Sequence, residues 1–119
     1  MPDRADLGRR GEEAASRLLE SKGWRILGRD LRTRVGEVDL LALDGETLVV
    51  VEVKTRSGEA FGRPEEVVDA RRLARLRRAA QALALARGLS ERPIRIDVVA
   101  VHARPDGRLD CEHLPGAGD

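Results

Sequence analysis

The segments Glu37-Val38-Asp39 and Glu52-Val53-Lys54 place four charged side chains at alternate positions of two apolar runs, which are joined through Asp44-Gly45. Alternation puts residues two apart on one face of a strand, and Asp-Gly between such runs is a hairpin signal. With Asp44-Gly45 as a two-residue loop, Asp39 faces Val50 and Glu37 faces Glu52. Glu37, Asp39, Glu52 and Lys54 then project from one side of the sheet; a four-residue loop preserves this parity and a three-residue loop breaks it. Three carboxylates on one face of a buried hairpin repel one another, and a single ammonium cannot neutralise them. A hard divalent cation, Mg²⁺ or Mn²⁺, held by carboxylates and water, resolves the conflict. The competing reading is a structural ion-pair cluster, which gives little net stability compared with apolar residues of like size. Glu37 taken alone reads as a solvated acid at a strand end.

The elements that must position these groups follow from periodicity. Residues 6–22 form a first helix with Leu7, Gly11, Ala14, Ala15, Leu18 and Leu19 in an apolar stripe, Asp6 or Asp3 as its cap and Gly23 as its stop. At about 100° per residue, Glu12 lies on the border of that stripe, where a carboxylate can look over the packed face toward the sheet; an ordinary helix-surface acid is the competing reading. Strands are expected over 24–30, 36–43 and 47–55, with a basic connection at 29–34. The run Leu48-Val49-Val50-Val51-Glu52-Val53 is too β-branched for a helix and too apolar for an edge. A flexible loop over 57–62 and a turn at 63–66 precede a second helix, capped by Asp69 and ended by Gly88. Strands over 94–101 and 108–114 flank a turn at Pro105-Asp106-Gly107, and 115–119 read as a frayed tail. The expectation is an α/β (α+β) chain forming one domain over 1–119, in the order αβββαββ, with a central mixed sheet flanked by helices.

Composition narrows the class. With 41% hydrophobic and 36% charged residues the chain reads as a soluble globular domain rather than a disordered one. No apolar run approaches the roughly 20 residues of a membrane span. The first residues lack the apolar core of a secretory signal, so a cytoplasmic location is expected. The net charge of +1 hides a division: residues 1–34 carry +3, 35–69 carry −6 and 70–119 carry +4. Solvated helix faces explain such a pattern, and so does an acidic metal pocket with basic surroundings that attract a polyanion. Of 22 cations 20 are Arg, which suits a GC-rich genome and also a thermophile. Lys54 is thus one of only two lysines. Cys111 is read as structural, and His102 and His113 as surface or packing residues. Gly8-Arg9-Arg10-Gly11 follows no strand and is not a phosphate loop.

Together, Glu37-Val38-Asp39 and Glu52-Val53-Lys54 resemble the signature of the PD-(D/E)xK nuclease superfamily. More closely, Gly11-Glu12, Gly36-Glu37-Val38-Asp39-Leu40, Val51-Glu52-Val53-Lys54-Thr55-Arg56, Phe61-Gly62 and Arg95-Ile96-Asp97-Val98 resemble the YraN family of bacterial proteins, which is similar to archaeal Holliday junction resolvases. The resemblance covers about Gly8 to Val101. Val38 stands where the superfamily name has Pro, and Arg71-Arg72 occupies a region where relatives often carry Lys.

The resemblance implies a restriction-endonuclease-like core and metal-dependent phosphodiester hydrolysis. Asp39 and Glu52 would hold Mg²⁺ (or Mn²⁺), with Glu12 joining through water, and Lys54 would orient the attacking water or stabilise the oxyanion. Arg56 would bind phosphate, and Arg71, Arg72, Arg75 and Arg78 would track the nucleic-acid backbone. The scarcity of aromatic residues argues against single-strand binding by base stacking, leaving duplex or branched DNA recognised by shape and phosphate. The resemblance also allows a homodimer. Two other classes stay open: a non-catalytic nucleic-acid-binding module that kept the nuclease fold, and a protein-interaction domain whose acids form a stability network.

Overall fold

The computed structural model describes residues 4–57 and 68–117. Helix α1 (Arg4–Ser21) leads to β1 (Arg25–Thr33), β2 (Gly36–Asp44) and β3 (Thr47–Ser57); α2 (Ala70–Ala86) then precedes β4 (Ile94–Ala103) and β5 (Leu109–Leu114). The five strands lie in sequence order, with β3 and β4 parallel and every other neighbouring pair antiparallel. The expected mixed sheet in the order αβββαββ is therefore the observed one. The loop over 58–62 and the turn at 63–66 lie outside the described residues. No helix among those described is long and apolar enough to cross a membrane.

The helices take opposite faces. Ala15 and Leu19 of α1 and the following Trp24 pack on Leu40, Ala42, Val49, Val51, Val99 and Val101. Leu76, Ala79, Ala80 and Ala84 of α2 pack on Val38, Leu41, Leu48, Val50 and Ile96. Each fully buried Leu, Val or Ile contributes roughly 1.5–3 kcal/mol by leaving water, so the two apolar layers bind both helices firmly to β3. Their ends follow local chemistry. After α1, Gly23 takes φ +87 while Trp24 N–H donates to Leu19 O. Asp69 caps α2, accepting from Arg72 N–H at 2.8 Å, and Gly88 at φ +71 ends it. Asp6 lies inside the first turn of α1 rather than capping it.

Three expectations are corrected. Of the basic stretch 29–34, residues 29–33 are the end of β1 and only Arg34 lies in the connection: as an edge strand, β1 tolerates exposed Arg25, Arg29 and Arg32 while Leu31 packs beneath α2. The hairpin loop is Gly45-Glu46, because Gly45 supplies the positive φ (+59) at the first loop position. Its ladder runs from Asp44↔Thr47 to Leu40↔Val51, two residues off the expected register with the same parity. The tail at Gly116 and Ala117 is tied down, with Gly116 N–H donating to Asp97 at 2.9 Å and Ala117 N–H to Ile96 O at 2.7 Å.

Asp97 is fully buried and also accepts from Arg95, at 2.8 and 3.0 Å, and from His113 at 2.8 Å. Lys22 Nζ, which can only donate, sits 2.8 Å from His113 Nδ1. The other ring nitrogen must then carry the hydrogen given to Asp97. Burial pushes the Asp97 carboxyl up, but its donors outweigh burial and hold it below the usual range. Cys111 is half-buried against the α1-side core, as expected of a structural residue.

One close approach sets the position of α1. A Cβ built on Gly11 would lie 2.0 Å from Thr55 Oγ1 and 3.1 Å from Thr55 Cβ, so helix and strand touch at a glycine, one residue before Glu12. Gly11→Ala should lower stability by about 1–3 kcal/mol, read from the urea midpoint, and adding Thr55→Ala should recover part of the loss. An unchanged midpoint in Gly11→Ala would show that the contact is not tight.

Candidate metal and phosphoryl-transfer site

The site is built where β2 and β3 part. Their ladder ends at Leu40↔Val51, although both strands continue. Val38 and Leu41 pack on the α2 side while Leu40 packs on the α1 side, so side-chain alternation slips one step at Asp39. A matching slip occurs in β1. Arg29 reaches α1, at 2.5 Å from Glu13 and 2.9 Å from Ser16, yet Leu31 packs on the α2 side. Between them Asp30 has φ +49, the single non-glycine residue with positive φ among those described. Asp is one of the few residues that tolerate this conformation.

Asp39 fills the fork. Its Oδ2 accepts Val53 N–H at 2.8 Å, so the carboxylate satisfies a strand donor at the point where β2 leaves β3. Its other interaction is a hydrogen bond with Glu52. Glu52 is 4% exposed and points to the α2 side, where it accepts from Arg72 Nε. Glu12, Asp30 and Asp39 each offer a carboxylate oxygen, all within 4.8 Å of one another. No buried side-chain polar atom among the described residues lacks a hydrogen-bond partner, so in the absence of a cation the acids are satisfied by sharing protons.

The electrostatics record that sharing. Burial, the hydrogen bond to Glu52 and the nearby charges of Glu52 and Glu12 push the Asp39 carboxyl up to about 8, against the pull of Val53 N–H. Burial, with the hydrogen bond and charge of Asp30, pushes Glu12 up to about 7. Burial would also raise Glu52, but Arg72, the Asp39 hydrogen bond and the Lys54 ammonium together hold it below the usual carboxylate range. Asp39 thus shares its proton with Glu52, and Glu12 shares its own with Asp30. Too few positive charges face too many acids. Oxygen-only donors crowded in this way fit a hard cation such as Mg²⁺ or Mn²⁺, which binds carboxylates and water.

The sequence-predicted residues divide accordingly. Glu12, Asp39 and Glu52 come together, and Lys54 is half-buried two residues beyond Glu52. Glu37 does not join them; it is exposed and 3.5 Å from Arg32. Arg56 is exposed on the rim of an open cleft of about 460 Å³, also lined by Leu7, Gly8, Glu12, Val53 and Thr55. Arg71, Arg75 and Arg78 are exposed on α2, with the Arg75 side chain passing over Gly36, whereas Arg72 turns inward to Glu52. Asp30 joins the acids without a motif to mark it: it is the only acid in the Arg-rich stretch 25–34, and that isolation is its one signal. Phe61-Gly62 lies outside the described residues.

Comparison with known proteins agrees with the sequence resemblance at the level of the family. The chain belongs to the family described as "Uncharacterised protein family UPF0102", which matches residues 11–101. A UPF0102 protein of Symbiobacterium thermophilum is 46% identical over 111 residues, covering 93% of this chain and 94% of the relative. One from an Arthrobacter species is 49% identical over 112 residues, covering 94% and 95%. Another, from Anaeromyxobacter dehalogenans, is 49% identical over 116 residues, covering 98% and 86%.

The raised carboxyls make a signed prediction for the cation-free protein. A group that holds its proton more tightly when folded stabilises the fold below its unfolded pKa, and that contribution is lost as pH rises through the folded value. Thermal stability should therefore fall between about pH 4.5 and 8. Asp39→Asn should flatten that slope. An equal slope in wild type and variant would mean that Asp39 does not carry this proton.

Proposed function

We propose that the protein is a divalent-metal-dependent nuclease that hydrolyses phosphodiester bonds in structured or branched nucleic acid, with Holliday junction resolvase-like DNA substrates foremost. The observation that carries the reading is the meeting of Asp39 and Glu52 at the strand fork, with Glu12 facing Asp39 and Lys54 next along β3. The PD-(D/E)xK resemblance supports the same assignment.

In this reading Asp39, Glu52 and Glu12 hold Mg²⁺ or Mn²⁺, and Asp30 supports the set by taking the Glu12 hydrogen bond. A bound cation supplies Lewis acidity, lowering the pKa of its water and offsetting charge on the phosphoryl group. Lys54 orients the attacking water or stabilises the charge that develops on the phosphoryl oxygens. Arg56, on the rim of the cleft beside Glu12, receives a backbone phosphate. Arg71, Arg75 and Arg78 follow one another at helical spacing on the exposed side of α2 and track further phosphates, a contact of charge rather than of sequence.

One observation favours a second reading, a nucleic-acid-binding module that kept the fold without the chemistry: Glu52 is already engaged by Arg72. That reading gives salt-sensitive DNA binding with no cleavage in any metal. The two separate in an assay of duplex, flap and four-way-junction DNA, and of RNA, with Mg²⁺ or Mn²⁺. The nuclease reading expects metal-dependent cleavage that Asp39→Ala and Lys54→Ala each reduce by about 10²-fold or more. Wild-type cleavage by both variants would remove these residues from the mechanism.

A further inference from the structure

Arg72 is the one charged partner that the site draws from α2, and its geometry is specific. Its backbone N–H donates to the Asp69 cap at 2.8 Å, which fixes the first turn of the helix. Its side chain then turns inward, and Nε donates to Glu52 Oε2. The two ends of this pair differ in solvation: the Glu52 side chain is 4% exposed and that of Arg72 is 38% exposed. A buried carboxylate cannot be left without a counter-charge, whereas a guanidinium on the surface can exchange one partner for water or another anion. The same carboxylate is the one that a divalent cation needs. Besides Arg72, Glu52 is met by a hydrogen bond from Asp39 and by the charge of Lys54, which acts without a hydrogen bond of its own to Glu52.

We infer that Arg72 is an intramolecular competitor of the divalent cation: it occupies Glu52 while no cation is bound and is displaced when one binds. The inference rests on the metal-site reading above and goes beyond it by giving Arg72 a role at Glu52 that precedes any contact with phosphate. Three features follow from it. The cation-free fold keeps a buried acid satisfied without metal. Metal affinity is set partly by the strength of an ion pair and not by the donor oxygens alone. The displaced guanidinium becomes available to an anion arriving at the mouth of the site, so cation and polyanion favour one another's binding. The neighbouring arginines lack this role: Arg71 is exposed, and Arg75, though largely exposed, lays its side chain over Gly36 of β2.

Calorimetric titration of Mn²⁺ into wild type, Arg72→Met, Arg72→Lys and Arg75→Met tests this. Arg72→Met should bind Mn²⁺ roughly tenfold more tightly than wild type, inside the 5–150-fold range of typical coupling between sites. Arg72→Lys should lie between the two. Arg75→Met, which removes a cation nearby without touching Glu52, should change affinity by less than about twofold, because exposed charges are screened. The ¹⁵N-resolved Nε–H resonance of Arg72 gives a readout on the unaltered protein, independent of whether a variant folds. It should shift during Mg²⁺ titration with the midpoint of metal binding. If wild type binds metal but Arg72→Met binds no more tightly, or the Nε–H resonance stays in place as the site fills, Arg72 is not a competitor and the metal-site reading survives. If neither wild type nor Arg72→Met binds metal, both fail together.

Discussion

The hydrogen bond from Val53 N–H to Asp39 Oδ2 is the hinge of this structure. A central strand cannot leave its neighbour without orphaning backbone donors, and buried orphans are costly. Here one side chain takes over the role of a strand partner. The substitution lets β2 separate from β3 beyond Leu40↔Val51 while β3 stays paired with β4 as far as Ser57↔Ala103. It also commits a carboxyl to a half-buried position beside another carboxyl. The opening of the sheet and the crowding of acids are therefore one event. The slip at Asp30, opposite in β1, keeps the edge strand in step with the kink and adds a further acid to the same place.

Everything around the fork manages that charge. α1 approaches closely because Gly11 allows it, and so delivers Glu12. Arg29 stitches β1 to α1 through Glu13 and Ser16, and Arg72 covers Glu52 from the opposite helix. The net charge of +1 describes none of this; the division into an acidic middle and two basic flanks does. The acidic segment supplies Asp39 and Glu52, and the flanks supply Arg29 and Arg72 as counter-charges, with further arginines left outside for solvent or phosphate. On the neighbouring strand β4, opposite Val51, Asp97 faces the same problem of a buried acid. There Arg95, His113 and Gly116 solve it completely, which separates a structural acid from those at the fork.

Much of the fold was legible because its determinants are local. Gly23, Asp69 and Gly88 end or begin helices through their own backbone preferences, and the runs at 36–43 and 47–55 declare strands through side-chain type. Strand parity placed Asp39 and Glu52 close and a helical stripe aimed Glu12 at the sheet, but parity also put the acids on one face, whereas Glu52 points to the α2 side and Glu12 comes from α1. What escaped the sequence depends on tertiary context. Gly45 rather than Asp44 opens the hairpin loop, which shifts the register by two residues, and the ladder ends at Leu40↔Val51, just before Asp39 and Glu52. The face slip at Asp39 detaches Glu37 from the cluster, because strict alternation has no term for a kink shared by two strands. Asp30 and Arg72 lay in stretches dominated by Arg, where spacing alone says nothing about which side chain turns inward. The tail at Gly116 was invisible because its anchor, Asp97, lies on a different strand.

Whether the fork holds a divalent cation, as proposed, is tested most directly by a crystal soaked in Mn²⁺ and measured at an anomalous wavelength. The account predicts an anomalous peak between Asp39 and Glu52, at about 2.0–2.3 Å from their carboxylate oxygens, with Glu12 facing the same ion. Absence of any such peak at saturating Mn²⁺, with Asp39 still hydrogen-bonded to Glu52 and Arg72 still in place, would contradict it.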